Sequence, residues 1–235
     1  MNQRYTLSSM KRPALALALA LALIVPAVGS AAVLGRAYGA WVYVPSMGYP
    51  STYICDTGWL PSTGGSLTSH AYNVAMGTVL QLASSDSHTQ SDTCGGHSDN
   101  DLVSGVVLDG HPAKITFDGM HSEDDDTCCA IPKHRRRSHF TSLTIGGNPV
   151  TPSGAFNEVF TIPGVATVVV NEMSKDGNKD CQGQDEYVFR ALHVTLASGE
   201  HIILGSTRFD DSHDCCTNPT KTTDSTWGRL RRTFR

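Results

Sequence analysis

Beyond residue 32 the chain is written in short apolar runs broken by Gly, Pro, Ser and Asp, with almost no helical periodicity. The runs fall at 41–44, 72–82, 102–108, 114–117, 140–145, 156–162, 165–171, 187–196 and 202–209. Short runs rich in β-branched and aromatic residues, bounded by turn formers, predict strands. Within 187–196, Val188, Leu192, Val194 and Leu196 are expected on one face, with Arg190 the exception. By contrast, 165–170 is continuously apolar, the pattern of a central strand covered on both faces. Many short strands with frequent turns predict an all-β fold: an antiparallel β-sandwich or, as the alternative, a partly open β-barrel.

The start of the chain follows a different pattern. Arg4, Lys11 and Arg12 precede an almost pure Ala, Leu, Ile and Val run over 13–27, and small residues follow. That run is shorter than the roughly 20 residues needed to span a bilayer. A basic start, a short apolar stretch and a small-residue exit predict a secretory signal peptide over 1–32, cut between Gly29 and Ala32. The remainder divides into one β-rich domain at 37–216 and a basic carboxyl-terminal tail at 217–235, with no membrane-spanning run expected in the mature chain. Removing the three early cations leaves 15 basic against 22 acidic side chains, a net charge of −7. That balance argues against nucleic acid as a partner.

A loose repeat orders the strands. Leu108-Asp109-Gly110-His111-Pro112 resembles Ile145-Gly146-Gly147-Asn148-Pro149, and Leu196-Ala197-Ser198-Gly199 is a third copy. Each places glycine-bearing turn chemistry between β-rich runs. The return segments are acidic and run into cysteine, at Cys94, Cys128-Cys129, Cys181 and Cys215-Cys216. Because the strands alternate direction, the cysteine loops are expected at one end of the sheet and the glycine turns at the other. In an exported chain these cysteines read as disulfides. Cys94 is expected with Cys128 or Cys129, Cys181 with Cys215 or Cys216, and Cys55 with whichever partner is left over. Each favoured loop closes over about 34 residues, worth roughly 3–4 kcal/mol in the chain-entropy description.

Four segments carry a family resemblance. Asp56-Thr57-Gly58-Trp59-Leu60-Pro61-Ser62-Thr63-Gly64-Gly65-Ser66 resembles the SDTG-x-LPPSGG segment of choice-of-anchor P proteins. Pro163-Gly164-Val165 through Val170-Asn171-Glu172 is similar to that family's PGV…VVLNEQ element, and Arg190-Ala191-Leu192-His193-Val194-Thr195-Leu196 to its VNALHVTV strand. Ala37-Tyr38-Gly39 matches the usual start of the mature part. The resemblance implies a bacterial secreted or surface β-rich domain and brings no activity with it. The chain departs from the family in its dense acidic cysteine loops and in showing no carboxyl-terminal anchor motif.

Candidate chemistry is sparse. His88, His97, His121 and His213 lie in or beside the cysteine loops among acidic residues, a donor set suited to zinc. Asp176, Asn178 and Asp180 have the alternating oxygens of a calcium loop, but Cys181 and Tyr187 stand where such a loop needs Gly and Glu. Glu123 to Asp126 and the basic cluster Lys133, Arg135, Arg136 and Arg137 are expected as hydrated loops, the first with a hard cation as its alternative and the second a candidate for anionic glycans or head groups. His193 and Glu172 are expected as hydrogen-bonded structural residues. No G-x-S-x-G elbow and no phosphate-cradling glycine motif occurs. The leading expectation is an exported non-enzymatic module, without cofactor, that meets an extracellular or envelope component. The alternatives are a calcium- or zinc-binding domain and a hydrolase using loop carboxylates.

Overall fold

The computed structural model describes residues 32–92, 95–127, 133–179 and 185–210. All but Ala32 of the expected signal peptide at 1–32, six of the seven cysteines and the carboxyl-terminal tail lie outside these residues. The protein is an all-β sandwich of two six-stranded antiparallel sheets, not closed into a barrel. The chain enters with β1 (Leu34–Val44) and β2 (Tyr49–Asp56), joined through a 3-10 turn at Pro45–Met47. It then crosses to the second sheet and runs as a meander of β3 (Gly65–Met76), β4 (Leu80–Asp92), β5 (Gly95–Val107), β6 (Ile115–Thr127), β7 (Lys133–Ile145) and β8 (Asn148–Pro149). It returns to the first sheet with β9 (Glu158–Ile162), β10 (Ala166–Lys179), β11 (Asp185–Leu196) and β12 (His201–Asp210). The first sheet is ordered β2-β1-β12-β11-β10-β9, so the earliest strand pairs with the latest, Leu34 opposite Asp210. Among the described residues no helix is long and apolar enough to cross a membrane.

The two poles separate as the alternation of strand direction requires. At one pole Gly146 N–H bonds the Lys114 carbonyl, tying the first two glycine turns, and Ala197 N–H bonds the Val165 carbonyl, tying the third to the Pro163-Gly164 turn, both at 2.9 Å. At the other pole stand the strand ends that lead to the cysteine segments. Asp92 pairs with Gly95, Gly95 with Thr127, Thr127 with Lys133, and Lys179 with Asp185. Val33 joins the sheets there, since its N–H donates to the Asp92 carbonyl at 3.3 Å while the adjacent Leu34 pairs with Asp210.

Strands β4, β5, β6, β7 and β10 are longer than the apolar runs that announce them, because each changes character partway along. Toward the glycine pole, Val42, Leu82, Val107, Ile115, Val168, Leu192, Val194, Ile202 and Leu204 fill the interior. Toward the other pole the interior is polar around two rings, Phe189 and Phe209: Ser85, Ser87, Thr89, Ser98, Asn100, Ser122, Asp124, Asp126 and Thr207 are all buried. Between the halves runs a transverse seam at which the inward and outward faces exchange. In the first sheet the pairing steps from Tyr38–Ser206 to Ala40–Leu204, from Arg190–Ser206 to Leu192–Leu204 and from Glu172–Arg190 to Val170–Leu192. Gly39, Gly205, Ala191 and Asn171 thus fall between registered pairs. In the second sheet the same step occurs at Asn73, at Gly119 and between Leu82 and Ser85. Left-handed backbone makes the exchange, at Cys55 (φ 56°), Asn73 (50°), Gly119 (54°), Asn171 (53°) and Gly205 (58°). The register is the same on either side of each, so no residue is inserted, and each left-handed kink reverses side-chain parity beyond it.

The seam corrects several expectations. Glu123 to Asp126 and Lys133 to Arg137 are not hydrated loops. They are facing segments of β6 and β7, with Glu123 opposite Arg137, Asp124 opposite Arg136 and Asp125 opposite Arg135. Arg136 Nε donates to Asp124 Oδ2 at 3.0 Å with both side chains nearly inaccessible (6% and 0%). Asp176 and Asn178 lie within β10 rather than at a hairpin tip, where the register slips between Lys175 and Lys179. Their side chains and Asp180 are outside the described residues. Cys55 does not take a leftover partner. It is a buried free thiol at the seam, away from the cysteine pole, with Sγ 3.0 Å from the carbonyls of Ser69 and Ser85. In β11 the inward set is Leu192, Val194 and Leu196 beyond the seam but Phe189 and Ala191 before it, which is why Arg190 breaks the alternation.

Candidate functional site

The outward faces of the polar halves hold most of the chemistry. On the second sheet the registered pairs form three rows across five strands. Ser66, Gln90, His97, Asp125 and Arg135 make the row nearest the cysteine pole. Thr68, His88, Asp99, Glu123 and Arg137 make the next, and His70, Asp86, Asp101, His121 and His139 the third. Each strand contributes every second residue, since successive side chains point to opposite faces. The result is a flat field of alternating imidazoles, carboxylates and guanidiniums.

Within that field His97 lies between two carboxylates, Nδ1 2.6 Å from Asp125 Oδ1 and Nε2 3.0 Å from Asp99 Oδ1. His88 Nδ1 approaches the same Asp99 oxygen at 3.1 Å, and its Nε2 stands 3.0 Å from Ser66 Oγ. His121 repeats the arrangement with Asp101 (2.7 Å) and Glu123 (3.4 Å). Partial burial works against the protonated form of His97, but the hydrogen bond and charge of Asp125, with those of Asp99, outweigh it and raise its pKa. The same opposition, resolved by Asp101 and Glu123, raises that of His121. Ligand atoms of His88, His97 and Asp99 lie within 4.8 Å of one another. Glu123 also binds the basic cluster, with Oε1 2.5 Å from Arg137 Nε and 3.7 Å from Arg135 Nε. Arg135, Arg136 and Arg137 thus each meet an acid of β6, Arg136 in the interior and the other two with more than half of their side chains exposed.

The first sheet presents an aromatic groove of about 250 Å³ lined by Arg36, Tyr38, Trp41, Tyr53, Trp59, Arg190 and Arg208, among others. Arg36 makes a two-point bond to Asp56, Nε to Oδ1 at 2.9 Å and Nη2 to Oδ2 at 2.7 Å, which holds its guanidinium over the Tyr53 ring at 4.5 Å. Arg208 stands over Trp59 at 5.2 Å. Trp59 and Tyr53 nevertheless expose 39% and 45% of their surface. Beside the groove, Glu172 Oε2 accepts from Arg190 Nη1 at 2.7 Å and lies 2.9 Å from His193 Nδ1, while His193 Nε2 meets His201 Nδ1 at 3.1 Å. Burial disfavours the Glu172 carboxylate, but His193 and Arg190 overcome that cost and hold its pKa at about 2.

Of the residues singled out from sequence, the structure brings His88 and His97 together, ring centroids 6.2 Å apart, and puts His121 one row away. His213 lies outside the described residues, as do Cys94, Cys128, Cys129, Cys181, Cys215 and Cys216. Sequence reading missed Asp99, Asp101, His70 and His139 and took Asp125 only as part of an acidic loop, although a signal was present. His97-x-Asp99-x-Asp101 and His121-x-Glu123-x-Asp125 repeat at the period of a strand. Compared with known proteins, the chain matches no family model, no curated protein and no solved structure.

Proposed function

We propose that the protein is an exported, non-enzymatic binding module of the bacterial envelope or extracellular space, and that it holds an anionic polysaccharide strand in the aromatic groove of the first sheet. The observation carrying this reading is the set of exposed rings, Tyr53 and Trp59, flanked by ordered guanidiniums. Rings with one apolar face and a polar tip suit ligands that are themselves half apolar, as a sugar is. A guanidinium recognises hydroxyl and carboxylate oxygens in a fixed geometry. The signal-peptide pattern of 1–32 and the resemblance of residues 37–209 to choice-of-anchor P proteins support export. The carboxylates nearest the groove favour binding over hydrolysis. Asp56 is locked by Arg36, and Glu172 is held ionised far below the range in which it would donate a proton.

Tryptophan fluorescence tests the reading, because Trp41 and Trp59 both line the groove. Titration of the mature chain with soluble anionic envelope polysaccharides is expected to shift the emission saturably. Trp59→Ala and Tyr53→Ala are expected to abolish binding without loss of fold. Unchanged emission with every anionic polysaccharide tried, or release of new reducing ends, would sink it.

A further inference from the structure

The geometry points to a binding site for one zinc-class transition-metal ion on the outer face of the second sheet, held by His88 Nδ1, His97 Nε2 and Asp99 Oδ1. It lies on the opposite sheet from the groove and stands or falls separately from it.

The three ligands come from two neighbouring strands. His88 faces Asp99 across the β4–β5 pair, and His97 precedes Asp99 by two residues on β5, so the pleat aims all three the same way. Asp99 Oδ1 stands 3.1 Å from His88 Nδ1 and 3.0 Å from His97 Nε2. Ligands bonded at about 2.0–2.2 Å to a tetrahedral ion stand roughly 3.3–3.6 Å apart. A small opening of the cluster therefore admits the ion. All three side chains are partly exposed, which leaves a further coordination position for water or for a group from a partner.

The far nitrogens are placed as metal-bound imidazoles need. His97 Nδ1 is 2.6 Å from Asp125 Oδ1, and His88 Nε2 is 3.0 Å from Ser66 Oγ. A carboxylate at Nδ1 keeps the ring N–H there and turns the Nε2 lone pair toward Asp99. Such outer carboxylates orient metal-binding histidines and raise their basicity. A proton on Nε2 makes the 3.0 Å contact with Asp99 a hydrogen bond, and a metal ion would take that proton's place between the same two atoms. His121 shows the contrast: its second carboxylate, Glu123, already has Arg137 at 2.5 Å. Among the described residues no lysine or arginine forms an ion pair with Asp99. Two imidazoles with one carboxylate suit zinc, cobalt, nickel or copper. Calcium, which takes six to eight oxygens, is a poor match.

The test uses the mature chain, purified without a histidine tag, stripped with chelator and dialysed against zinc. Elemental analysis is expected to find a single tightly held equivalent that competes with a chromophoric chelator. His97→Gln and Asp99→Asn lose it. Asp125→Asn keeps the stoichiometry but weakens affinity about ten- to a hundred-fold, and His70→Gln changes nothing. Cobalt(II) loading gives visible d–d bands without the near-ultraviolet thiolate charge-transfer band. Circular dichroism checks that each variant folds, and where one does not, the cobalt spectrum of the unaltered chain decides. No retained metal, full binding by folded Asp99→Asn, or a thiolate band would overturn the assignment.

Discussion

The interior of this sandwich is two interiors, and they are held by different physics. Toward the glycine pole, Leu192, Leu204, Ile202 and Val168 are packed out of water entirely. Each such side chain contributes about 1.5–3 kcal/mol by leaving water, with little demand on direction. Toward the cysteine pole the second sheet buries serine, threonine and asparagine. There Ser87 Oγ donates to Asn100 Oδ1 at 2.6 Å, Thr89 and Ser98 hydroxyls meet at 2.7 Å, and Asn100 Nδ2 donates to the Ser206 carbonyl at 3.2 Å. The sheets also come closer in this half. A Cβ on Gly39 would fall 1.9 Å from Ser85 Oγ, and one on Gly96 would fall 2.4 Å from the Phe209 ring. A polar interior yields less net energy per group than an apolar one, but an unmade bond within it costs the full desolvation of its partner. The lesson is that a sandwich can rest its stability on one half and its geometric precision on the other.

That contrast can be broken at defined points. Leu204→Ala, on the apolar side of the seam, is expected to cost about 2–5 kcal/mol, read as a lowered midpoint in urea unfolding. A loss under 1 kcal/mol would mean the apolar half is not the stabilising one. One residue on, Gly205→Ala is expected to cost about 2–4 kcal/mol, combining left-handed strain with overpacking. Its added Cβ meets Met120 Cε at 2.7 Å and Ser122 Oγ at 2.8 Å. A neutral result would show the seam to be soft. Across the seam, Asn100→Ala is expected to cost about 1–3 kcal/mol and to speed amide exchange in β4, β5 and β12 more than elsewhere; uniform exchange would refute a distinct polar network. The smallest effect is a pH dependence from Glu172. Its folded pKa of about 2 lies below the ordinary 4.5, so its contribution is full above 4.5 and lost as pH falls from there through about 2. Glu172→Gln should flatten the stability curve in that window, and an unchanged acid limb would remove the residue from the account.

How much of this was legible follows from the seam. The apolar halves spoke clearly, as 165–171 became β10 and 202–209 became β12. The polar halves did not, because a buried Ser-x-Ser-x-Thr row such as 85–89 looks like a solvated loop in one dimension. Ladder bonds and small side chains, not hydrophobicity, make it a strand. Parity failed too. Arg190 looked like a lone exception, whereas the whole of β11 exchanges faces beside Asn171 and Gly205. At the candidate metal centre, His88 and His97 were noticed for lying near cysteines, but Asp99 and Asp125 acquire meaning only through register. In the groove, Trp59 was visible as part of a family-like segment. Arg36 and Tyr53 carried no signal, since Leu34 to Val44 and Tyr49 to Asp56 meet only as paired strands.

The pairing of β1 with β12 sets an order of events. Among the described strands the first, β1, lies one place in from the edge of its sheet, and one of its two neighbours is the last, β12. Contacts so distant along the chain form slowly. A growing chain thus cannot complete its first sheet until β12 has been made. The topology itself defers closure of the sandwich to the last of the described strands.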